Sequence, residues 1–381
     1  MSEFVSLLKT CEIATGKLDS NAMVNGGKYP FFTCAPNPLS INTYSFDDDV
    51  ILLAGNNASG KFHCQRYTGK FDAYQRTYVI TVKNNFNIDY IYYYLKMNLL
   101  SFSKKAQGSQ TKFLTMKILN DFVIKNISLD NQIKISSVLK NIDQKIQINN
   151  QINQELEVMA KTLYDYWFVQ FDFPDQNGKP YKSSGGKMVY HPELKREIPE
   201  GWGVEKLGDI TICHDSKRVP LSSNDRGLVK GEIPYYGATG IMDYVNDYIF
   251  DGDYVLMAED GSVMTEKGTP ILQRISGKNW VNNHAHVLEP IKNHSCKLLM
   301  MLLKDVSVMK IKTGSIQMKI NQENMNKIVV PAIPLKLLFE INQKLEVIDK
   351  QQLNLIEENK QLTQLRDWLL PMLMNGQVKV E

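Results

Sequence analysis

The sequence lacks the features that mark several large classes of protein. It has no run of about 18 apolar residues, which a membrane-spanning helix requires, so we expect no membrane span. The first residues include the acidic Glu3 and no basic stretch ahead of an apolar run, so we expect no secretory signal. The five cysteines are widely spaced and form no CxxC pair, which predicts reduced thiols and a cytoplasmic protein rather than a disulfide framework.

Motifs for catalysis and for cofactor binding are also missing. The chain has neither the Asn/Asp-Pro-Pro-Phe/Tyr motif of adenine methylation nor a Walker-type ATPase set. Residues 55–61 have the GxxxxGK spacing of a phosphate-binding loop, but Phe62 stands where a hydroxyl would hold Mg²⁺. His284 and His286 share one face of a strand and leave a zinc site incomplete, so we predict no metal site. We therefore expect neither an enzyme nor a cofactor bound to this chain.

The charge of the chain is nearly balanced, with 44 Lys and Arg against 41 Asp and Glu and a net charge of +3. This excess is too small to indicate a nucleic-acid binder by itself. It does not exclude one, because a DNA-binding protein can gather its positive side chains on one face. The hydrophobic fraction of 43% and the length of 381 residues are sufficient for two or three folded domains.

The most informative feature that is present is an internal repeat. YSFDDDVILLA, beginning at Tyr44, aligns without a gap to YIFDGDYVLMA, beginning at Tyr248, at a shift of 204 positions. Further along, Gly108 aligns to Gly314 at a shift of 206 positions, and this second register continues through the segments that follow. Two registers held over such lengths indicate two copies of one structural unit.

Each copy has a strand-rich first part and a helical second part. Apolar and β-branched runs predict strands at 50–53, 78–82, 254–257 and 286–288. Residues 129–168 contain no proline or glycine, and residues 335–374 contain only Pro371. Each of these two stretches therefore predicts one long helix.

Apolar residues in the two helices recur in steps of three, four and seven residues, a pattern typical of coiled coils. Asn153 and Asn359 interrupt this pattern at equivalent places. They either form a buried pair that fixes the register of the helices or face solvent, and the sequence leaves both open. The residues predicted to pair the helices or to dock a partner are Ile142, Asn153, Leu156, Met159, Leu163, Ile348, Asn359, Leu362, Leu365 and Leu369.

The segment between the two copies is rich in proline and glycine. This composition predicts a tether or an extended connector, and places the boundary between the copies within it. The predicted domains are a first head at 1–128, its long helix at 129–170, the connector at 171–203, a second head at 204–334 and its long helix at 335–376.

The connector, with the sequence YDYWFVQFDFP…YHPELKREIPEGWGVEKLGDI, resembles that of the specificity subunits of Type I restriction-modification enzymes. The paired segments QGSQTKFL and TGSIQMKI and the turn IPYYGATG add to the resemblance, which covers essentially the whole chain. One departure is that the first head lacks the PEGW-type segment that leads into the second. The resemblance implies an α+β fold in which two strand-rich target-recognition domains are each followed by a long helix. It also implies that the two helices form an antiparallel coiled coil within an internal pseudo-two-fold repeat.

The same resemblance implies a function in defence against foreign DNA. Each head would recognise one half of a bipartite, asymmetric site in double-stranded DNA. The helices would set the spacer between the half-sites and dock two methyltransferase subunits, which use S-adenosylmethionine to methylate adenine. A restriction and translocase subunit can join this core. The chain itself would be a non-catalytic subunit without a cofactor of its own.

Side chains able to contact phosphates or base edges fall in three regions of the sequence. The segments around Gly108 and Gly314 carry the densest set, namely Lys105, Gln107, Ser109, Gln110, Thr111 and Lys112 in the first copy, and Lys312, Thr313, Ser315, Gln317 and Lys319 in the second. The segment after the shared strand and the aromatic turn add Asn56, Asn57, Lys61, Arg66, Lys267, Tyr235, Tyr236 and Thr239. A solvated basic loop, and for the aromatic residues a place in the core, remain open as alternatives.

A structural coiled-coil adaptor, whose heads bind proteins, is a second hypothesis for the same architecture. Both hypotheses account for the repeat and for the long helices. DNA recognition alone predicts an affinity that falls steeply as the salt concentration rises.

Overall fold

The structure is a computed structural model, and it describes residues 3–108, 110–314 and 318–380. The chain divides into two compact units. Unit 1 comprises Met1–Asn150 together with Ile356–Glu381, and unit 2 comprises Gln151–Leu355. Each unit therefore contains one head and a part of each long helix. In the described residues, no helix has both the length and the apolar character that crossing a membrane would require.

Head 1 lies in unit 1 and is built mainly from strands. Its elements are β1 Phe4–Ser6, α1 Leu7–Thr10, β2 Cys11–Thr15, β3 Tyr29–Phe32, β4 Leu39–Ile41, β5 Phe46–Ala54, β6 Asn56–Asn57, β7 Cys64–Ala73, β8 Thr77–Val82, α2 Ile88–Met97, α3 Leu99–Lys105, β9 Lys112–Phe113, α4 Met116–Asn120 and β10 Val123–Lys125. The main sheet has six strands in the order β2-β8-β5-β7-β3-β4. Two small pairs, β1 with β10 and β6 with β9, complete the head.

The first long helix, α5, is Leu129–Tyr164, and it is followed by a turn of π-helix at Asp165–Val169. The connector and head 2 follow in unit 2, with elements β11 Met188–His191, β12 Arg196–Pro199, β13 Gly203–Lys206, α6 Leu207–Ile210, β14 Thr211–Cys213, α7 Ser223–Leu228, β15 Lys230–Tyr236, β16 Ile241–Val245, β17 Phe250–Asp251, β18 Tyr254–Ala258, β19 Leu272–Ile275, β20 Lys278–Val281, β21 Ala285–Pro290, α8 Cys296–Leu303, α9 Gln322–Asn326 and β22 Val329–Ala332. The second long helix, α10, is Leu335–Met374. Head 2 contains two four-stranded sheets, β14-β21-β18-β19 and β16-β15-β20-β17.

The central strand of each head is buried on both faces, which explains why its sequence is almost continuously apolar. In β5, Ile51 belongs to the core that also contains α2, whereas Leu52 belongs to a second core on the other side of the sheet. In β18, Val255 belongs to the main core of unit 2, and Leu256 belongs to a second core on the other side of the sheet. Successive side chains of a strand point to opposite faces, so one strand supplies two cores.

Backbone hydrogen bonds at the edge of each head have the same pattern. The amide of Leu7 donates to the carbonyl of Phe122 at 2.9 Å, and the amide of Leu207 donates to that of Ile328 at 2.8 Å. The β1–β10 pair of head 1 corresponds to the β13–β22 pair of head 2, and both are antiparallel. Head 1 therefore has its own edge strand, although its sequence lacks the lead-in segment of head 2.

The long helices contact each other within each unit. In unit 1, the amide nitrogen of Asn149 donates to Glu358 at 2.8 Å and to Asn359 at 2.9 Å, and Arg366 contacts Asp143 at 2.8 Å. The partner numbers fall as the numbers in α5 rise, so these segments run antiparallel. In unit 2, the side chain of Gln352 donates to the carbonyl of Asn153 at 3.1 Å.

The detailed helix-pairing pattern that we predicted is only partly correct. The polar residue buried between the helices is Asn149, whereas Asn153 and Asn359 are half-buried. Met159 is 57% exposed and Leu365 is 43% exposed, so these two do not pack between the helices and stay predictions as partner contacts. An α-helix has 3.6 residues per turn, and a strict seven-residue pattern drifts around its surface. Of the remaining predicted residues, Leu156 is buried and Ile142, Leu163, Ile348, Leu362 and Leu369 are half-buried.

The connector is not the open tether that its composition predicts. Phe171 and Phe173 are buried in the core of unit 2, and the ring of Phe173 stacks on Trp202 at 5.3 Å between centroids. The strands β11 and β12 form a hairpin. Proline and glycine here make tight turns within a packed segment, because the aromatic residues between them supply enough apolar area for burial.

The end of each long helix completes the core of the head that belongs to the other copy of the repeat. In unit 1, Leu370, Leu373 and Met374 of α10 are buried with Leu119 and Phe122 of head 1. In unit 2, the equivalent side chains, 206 positions earlier, are buried in the core of head 2, and they are Tyr164, Trp167 and Phe168. Both heads thus depend on a helix end from the other copy, which is distant in sequence from head 1 and joined by the connector to head 2.

Leu373→Ala is expected to lower the stability of unit 1 by about 2–5 kcal/mol, because it leaves a cavity in a buried core. Hydrogen exchange of the amides of β5 is the measurement, with the amides of β18 as an internal reference. The control is Leu365→Ala on the same helix, for which a change within about 0.5 kcal/mol is expected since the side chain is half in solvent. Equal loss of protection in β5 and β18 would contradict a local role for Leu373.

Candidate nucleic-acid interface

The two glycine-serine segments are closed by the same pair of backbone hydrogen bonds. We name residues 107–113 loop 1 and residues 313–319 loop 2. Gln107 and Phe113 exchange two backbone hydrogen bonds, of 3.1 and 2.8 Å, and Thr313 and Lys319 exchange two, of 2.7 and 2.9 Å. Gly108 has a φ of 110°, and a Cβ there would lie 2.0 Å from the carbonyl oxygen of Thr111, so this position requires glycine.

In head 1, two of the predicted DNA-contacting regions lie together. Strand β6 pairs with β9, so that Asn57 lies opposite Lys112. The side-chain carbonyl of Asn57 accepts hydrogen bonds from the amides of Ser59 and Lys61, which fixes the turn beside loop 1. Five predicted residues therefore lie together, namely Asn56, Asn57, Lys61, Thr111 and Lys112. Three more predicted residues, Lys105, Gln107 and Gln110, are near them in sequence and are exposed.

In head 2, the turn that carries Lys267 packs on the segment leading to loop 2. The amide of Val308 donates to the carbonyl of Gly268 at 2.9 Å. Lys267 and Thr313 are exposed, and Lys312 is half-buried. The predicted residues Ser109, Ser315 and Gln317 lie outside the described residues.

Arg66 is not available for DNA, contrary to our prediction. Its guanidinium contacts Asp49 at 2.8 Å and Asp89 at 3.0 Å, and it donates to the carbonyl of Val50 at 2.7 Å. Arg274 of head 2 has the corresponding contacts, with Asp253 at 2.9 Å and Asp349 at 3.0 Å. Both arginines occupy the same position in the sheet register and tie a strand to acidic partners, so their role is structural.

The aromatic turn also differs from its prediction as a DNA contact. Tyr235 is 1% exposed, and its hydroxyl accepts a hydrogen bond from the amide of Leu221 at 2.9 Å, which makes it a core residue. Tyr236 is half-buried against the second core of head 2, and burial raises the pKa of its phenol. Thr239 alone is exposed, in the turn closed by Gly237 and Gly240. The core alternative is therefore correct for Tyr235.

An ionic cluster lies beneath loop 2, with Glu259 and His286 buried, Asp215 and Arg218 half-buried and Lys319 exposed at its edge. Apart from His286 and Lys319, its members were not predicted as site residues. The cluster contains Asp215, Arg218, Glu259, His286 and Lys319. Glu259 accepts from Arg218 at 2.6 Å and from Lys319 at 3.0 Å. Burial acts to raise the pKa of Glu259, but these hydrogen bonds outweigh it and hold the pKa below its usual value. Lys319, which we predict to contact DNA, is exposed and contacts Glu259, so it links loop 2 to this cluster.

Two members of the cluster and the neighbouring Cys213 are potential metal ligands, since donor atoms of Cys213, Asp215 and His286 lie within 4.8 Å of one another. The atoms that a metal would need are already hydrogen-bonded. Nδ1 of His286 faces Asp215 at 2.5 Å, and its Nε2 faces a backbone carbonyl at 2.8 Å. The cation of Arg218 lies 3.2 Å from Asp215 and would repel a metal ion. His284 contacts Asp260 instead of joining this group.

The sequence as a whole has clear relatives. Residues 2–158 and 199–364 match the model of the Type I restriction modification DNA specificity domain. The chain belongs to this family. The resemblance to Type I specificity subunits is thereby confirmed. Since specificity subunits of Type I systems are non-catalytic DNA-recognition proteins, the family also supports the prediction that this chain is not an enzyme.

Individual relatives agree with the family. The specificity subunit of the Type I restriction enzyme EcoDI from Escherichia coli is 25% identical, over 94% of this chain and 85% of its own length. The MjaIX specificity subunit from Methanocaldococcus jannaschii is 25% identical, over 77% of this chain and 69% of its own length. The crystal structure of the Type I S subunit from M. genitalium shares the fold, with a TM-score of 0.58 and 16% identity over 97% of this chain and 95% of that one.

Arg66→Met is expected to lower the free energy of unfolding by about 1–3 kcal/mol, because it removes the guanidinium that contacts both Asp49 and Asp89. Denaturant unfolding measures this change. Lys61→Met is the control, since that side chain is exposed and should leave stability nearly unchanged. Wild-type stability combined with a loss of DNA affinity in Arg66→Met would instead place the guanidinium on DNA.

Proposed function

We propose that this chain is the DNA-recognition subunit of a Type I restriction-modification complex, and that each head recognises one half of a bipartite, asymmetric site in double-stranded DNA. The observation that carries the proposal is the pair of loops, which share one backbone closure and differ in side chains. The same closure carries two different sets of donors. Two different half-sites are the natural targets of such a pair.

The chemistry of the loops suits DNA. Lys105 and Lys112 supply positive charge for phosphates, and Gln107 and Gln110 supply amide groups that can pair with base edges. In loop 2, Thr313 and the neighbouring Lys312 offer a smaller set. A mild net charge is sufficient because these donors are gathered at a few positions.

The helices have a separate role in the proposal. The antiparallel contacts within the units support an antiparallel coiled coil, which sets the spacer between the half-sites. Large apolar side chains of both helices face solvent, among them Val158, Phe339, Val347 and Trp368. Exposed apolar residues of this size favour protein contacts, and we assign them to two methyltransferase subunits that hold S-adenosylmethionine. A restriction and translocase subunit joins this assembly in the cytoplasm.

Co-expression of this chain with its methyltransferase subunit, followed by sequencing of methylated adenines, tests the proposal. A split motif with a fixed unspecified gap is expected, and it should disappear when this chain is omitted. An assembled complex that methylates no DNA, or methylates without a split motif, would contradict the proposal and favour an adaptor that binds proteins.

Lys112→Ala is expected to weaken DNA binding and to reduce the slope of log affinity against log salt by about 1, because one phosphate contact is lost. Fluorescence anisotropy at several salt concentrations gives the slope. Lys179→Ala is the matched control, an exposed lysine of the connector. The same slope for wild type and Lys112→Ala would remove this side chain from the interface.

Lengthening both helices tests the spacer. Seven residues inserted after Asn150 and seven after Leu355 fall at the boundaries of the units and leave the contacts within each unit in place. The inserted turns add about 10 Å, which corresponds to about three base pairs. Methylation mapping should show unchanged half-sites and a longer gap. An unchanged gap would show that the helices do not set the spacing.

A further inference from the structure

One buried side chain holds the base of each loop by its backbone carbonyl. In head 1, the hydroxyl of Tyr78 donates to the carbonyl of Leu114 at 2.7 Å. In head 2, Nε2 of His286 bonds the carbonyl of Ile320 at 2.8 Å. Leu114 and Ile320 are the first residues after the closing pairs of loop 1 and loop 2.

Tyr78 and His286 occupy the same position of the repeated frame. Tyr78 lies opposite Leu53 across the sheet, and His286 lies opposite Met257. Leu53 and Met257 are the equivalent residues of the shared strand, at the shift of 204 positions. Two chemically different side chains thus make the same bond at the same place.

The opposite side of each anchored residue is held by the backbone. The amide of Leu114 donates to the carbonyl of Gly55 at 2.9 Å, and the amide of Ile320 donates to that of Glu259 at 2.8 Å. This second bond does not depend on side chains. The bond from Tyr78 or His286 is therefore the part of the anchor that a substitution can remove while the sheet remains.

We propose that Tyr78 and His286 are positioning residues for DNA recognition, each of which fixes its own loop and so controls specificity at one half-site only. This inference rests on the proposed function of the loops. Neither side chain is accessible to DNA, since Tyr78 is 8% exposed and His286 is 0% exposed. Their effect passes through the backbone. A recognition loop must be held to within a fraction of an ångström for its side chains to meet base edges.

The two anchors differ in how they are supported. Burial raises the pKa of Tyr78, so its phenol keeps the proton that it donates. His286 also bonds Asp215, which in turn accepts from the amide of Val287 at 3.1 Å. The two ring nitrogens of His286 therefore face two different partners, the carboxylate of Asp215 and the carbonyl of Ile320. The anchor of loop 2 thus belongs to the ionic cluster that also engages Lys319.

The test for head 1 compares two tyrosine substitutions. Tyr78→Phe removes the anchor of loop 1. Tyr90→Phe is the matched control, because it removes another buried hydroxyl-to-carbonyl bond of head 1, from Tyr90 to Lys125 at 3.1 Å. Dissociation constants are measured for the methyltransferase complex with cognate DNA and with DNA altered in either half-site. Unfolding temperatures are measured in parallel.

Tyr78→Phe should lower discrimination at half-site 1 by about five- to tenfold and leave discrimination at half-site 2 unchanged. Tyr90→Phe should cause a similar change in unfolding temperature without any loss of discrimination. Equal effects of the two substitutions, or a loss at both half-sites in Tyr78→Phe, would show a merely structural role and overturn the inference.

The test for head 2 uses rescue by a donor. His286→Met removes the bond to Ile320 and should lower discrimination at half-site 2 alone, whereas His286→Gln keeps an amide donor and should retain most of it. An equal loss of discrimination at half-site 2 in both variants would contradict the assignment. A loss of discrimination at half-site 1 in either variant would contradict it as well. If His286→Met does not fold, the Tyr78 pair still decides the inference. A wild-type complex that ignores both half-sites would instead reject the proposed function itself.

Discussion

Burial of each helix end in the core of the head from the other copy is the interaction on which the rest of this structure depends. Leu370, Leu373 and Met374 serve head 1, and the aromatic side chains at the end of α5 serve head 2. Hydrophobic burial of this kind is the dominant favourable term in folding. Each head is consequently fixed to both helices of its unit, and its loop has a defined direction relative to them.

Polar contacts between head and helices use different chemistry in the two units. The second residue of α2 is Asp89, which bonds Lys140 of α5 at 2.7 Å. The second residue of α8 is Lys297, which bonds Glu157 of α5 and Gln352 of α10. The head supplies an acidic residue in unit 1 and a basic residue in unit 2, and in both units this residue contacts an oppositely charged residue of α5. Side chains can therefore differ between the two copies where their partners differ in a complementary way. The side chains of the two loops also differ, while the closing backbone hydrogen bonds are the same.

Much of the architecture could be predicted from the sequence, because it depends on local patterns. The repeat was visible in YSFDDDVILLA and YIFDGDYVLMA, and the absence of glycine and proline indicated the long helices. The roles of Arg66 and Tyr235 could not be predicted in this way. The acidic partners of Arg66 lie 17 and 23 positions away, and the partner of the Tyr235 hydroxyl is a backbone amide. Partners of this kind are fixed by the register of the sheet, which residue type alone does not reveal.

The same limit applied to the loops and the connector. The requirement for glycine at Gly108 comes from the carbonyl oxygen of Thr111, a contact within the loop that the residue type alone does not reveal. The carbonyl anchors were not predictable, since a tyrosine and a histidine at equivalent positions have no residue type in common. The proline and glycine content of the connector predicts a tether, whereas burial of Phe171 and Phe173 determines its packing.

The most direct test of the central claim, one frame that carries two different recognition loops, is a chain with two copies of head 1. Residues 7–122 replace residues 207–328, joined where both heads have the same backbone hydrogen bond, and Tyr164→Leu, Trp167→Leu and Phe168→Met match the helix end to the new head. Methylated adenines are then mapped in the presence of the methyltransferase subunit. A symmetric motif made of two copies of half-site 1 with the original gap is predicted. A folded chain that methylates the original asymmetric motif would contradict the claim.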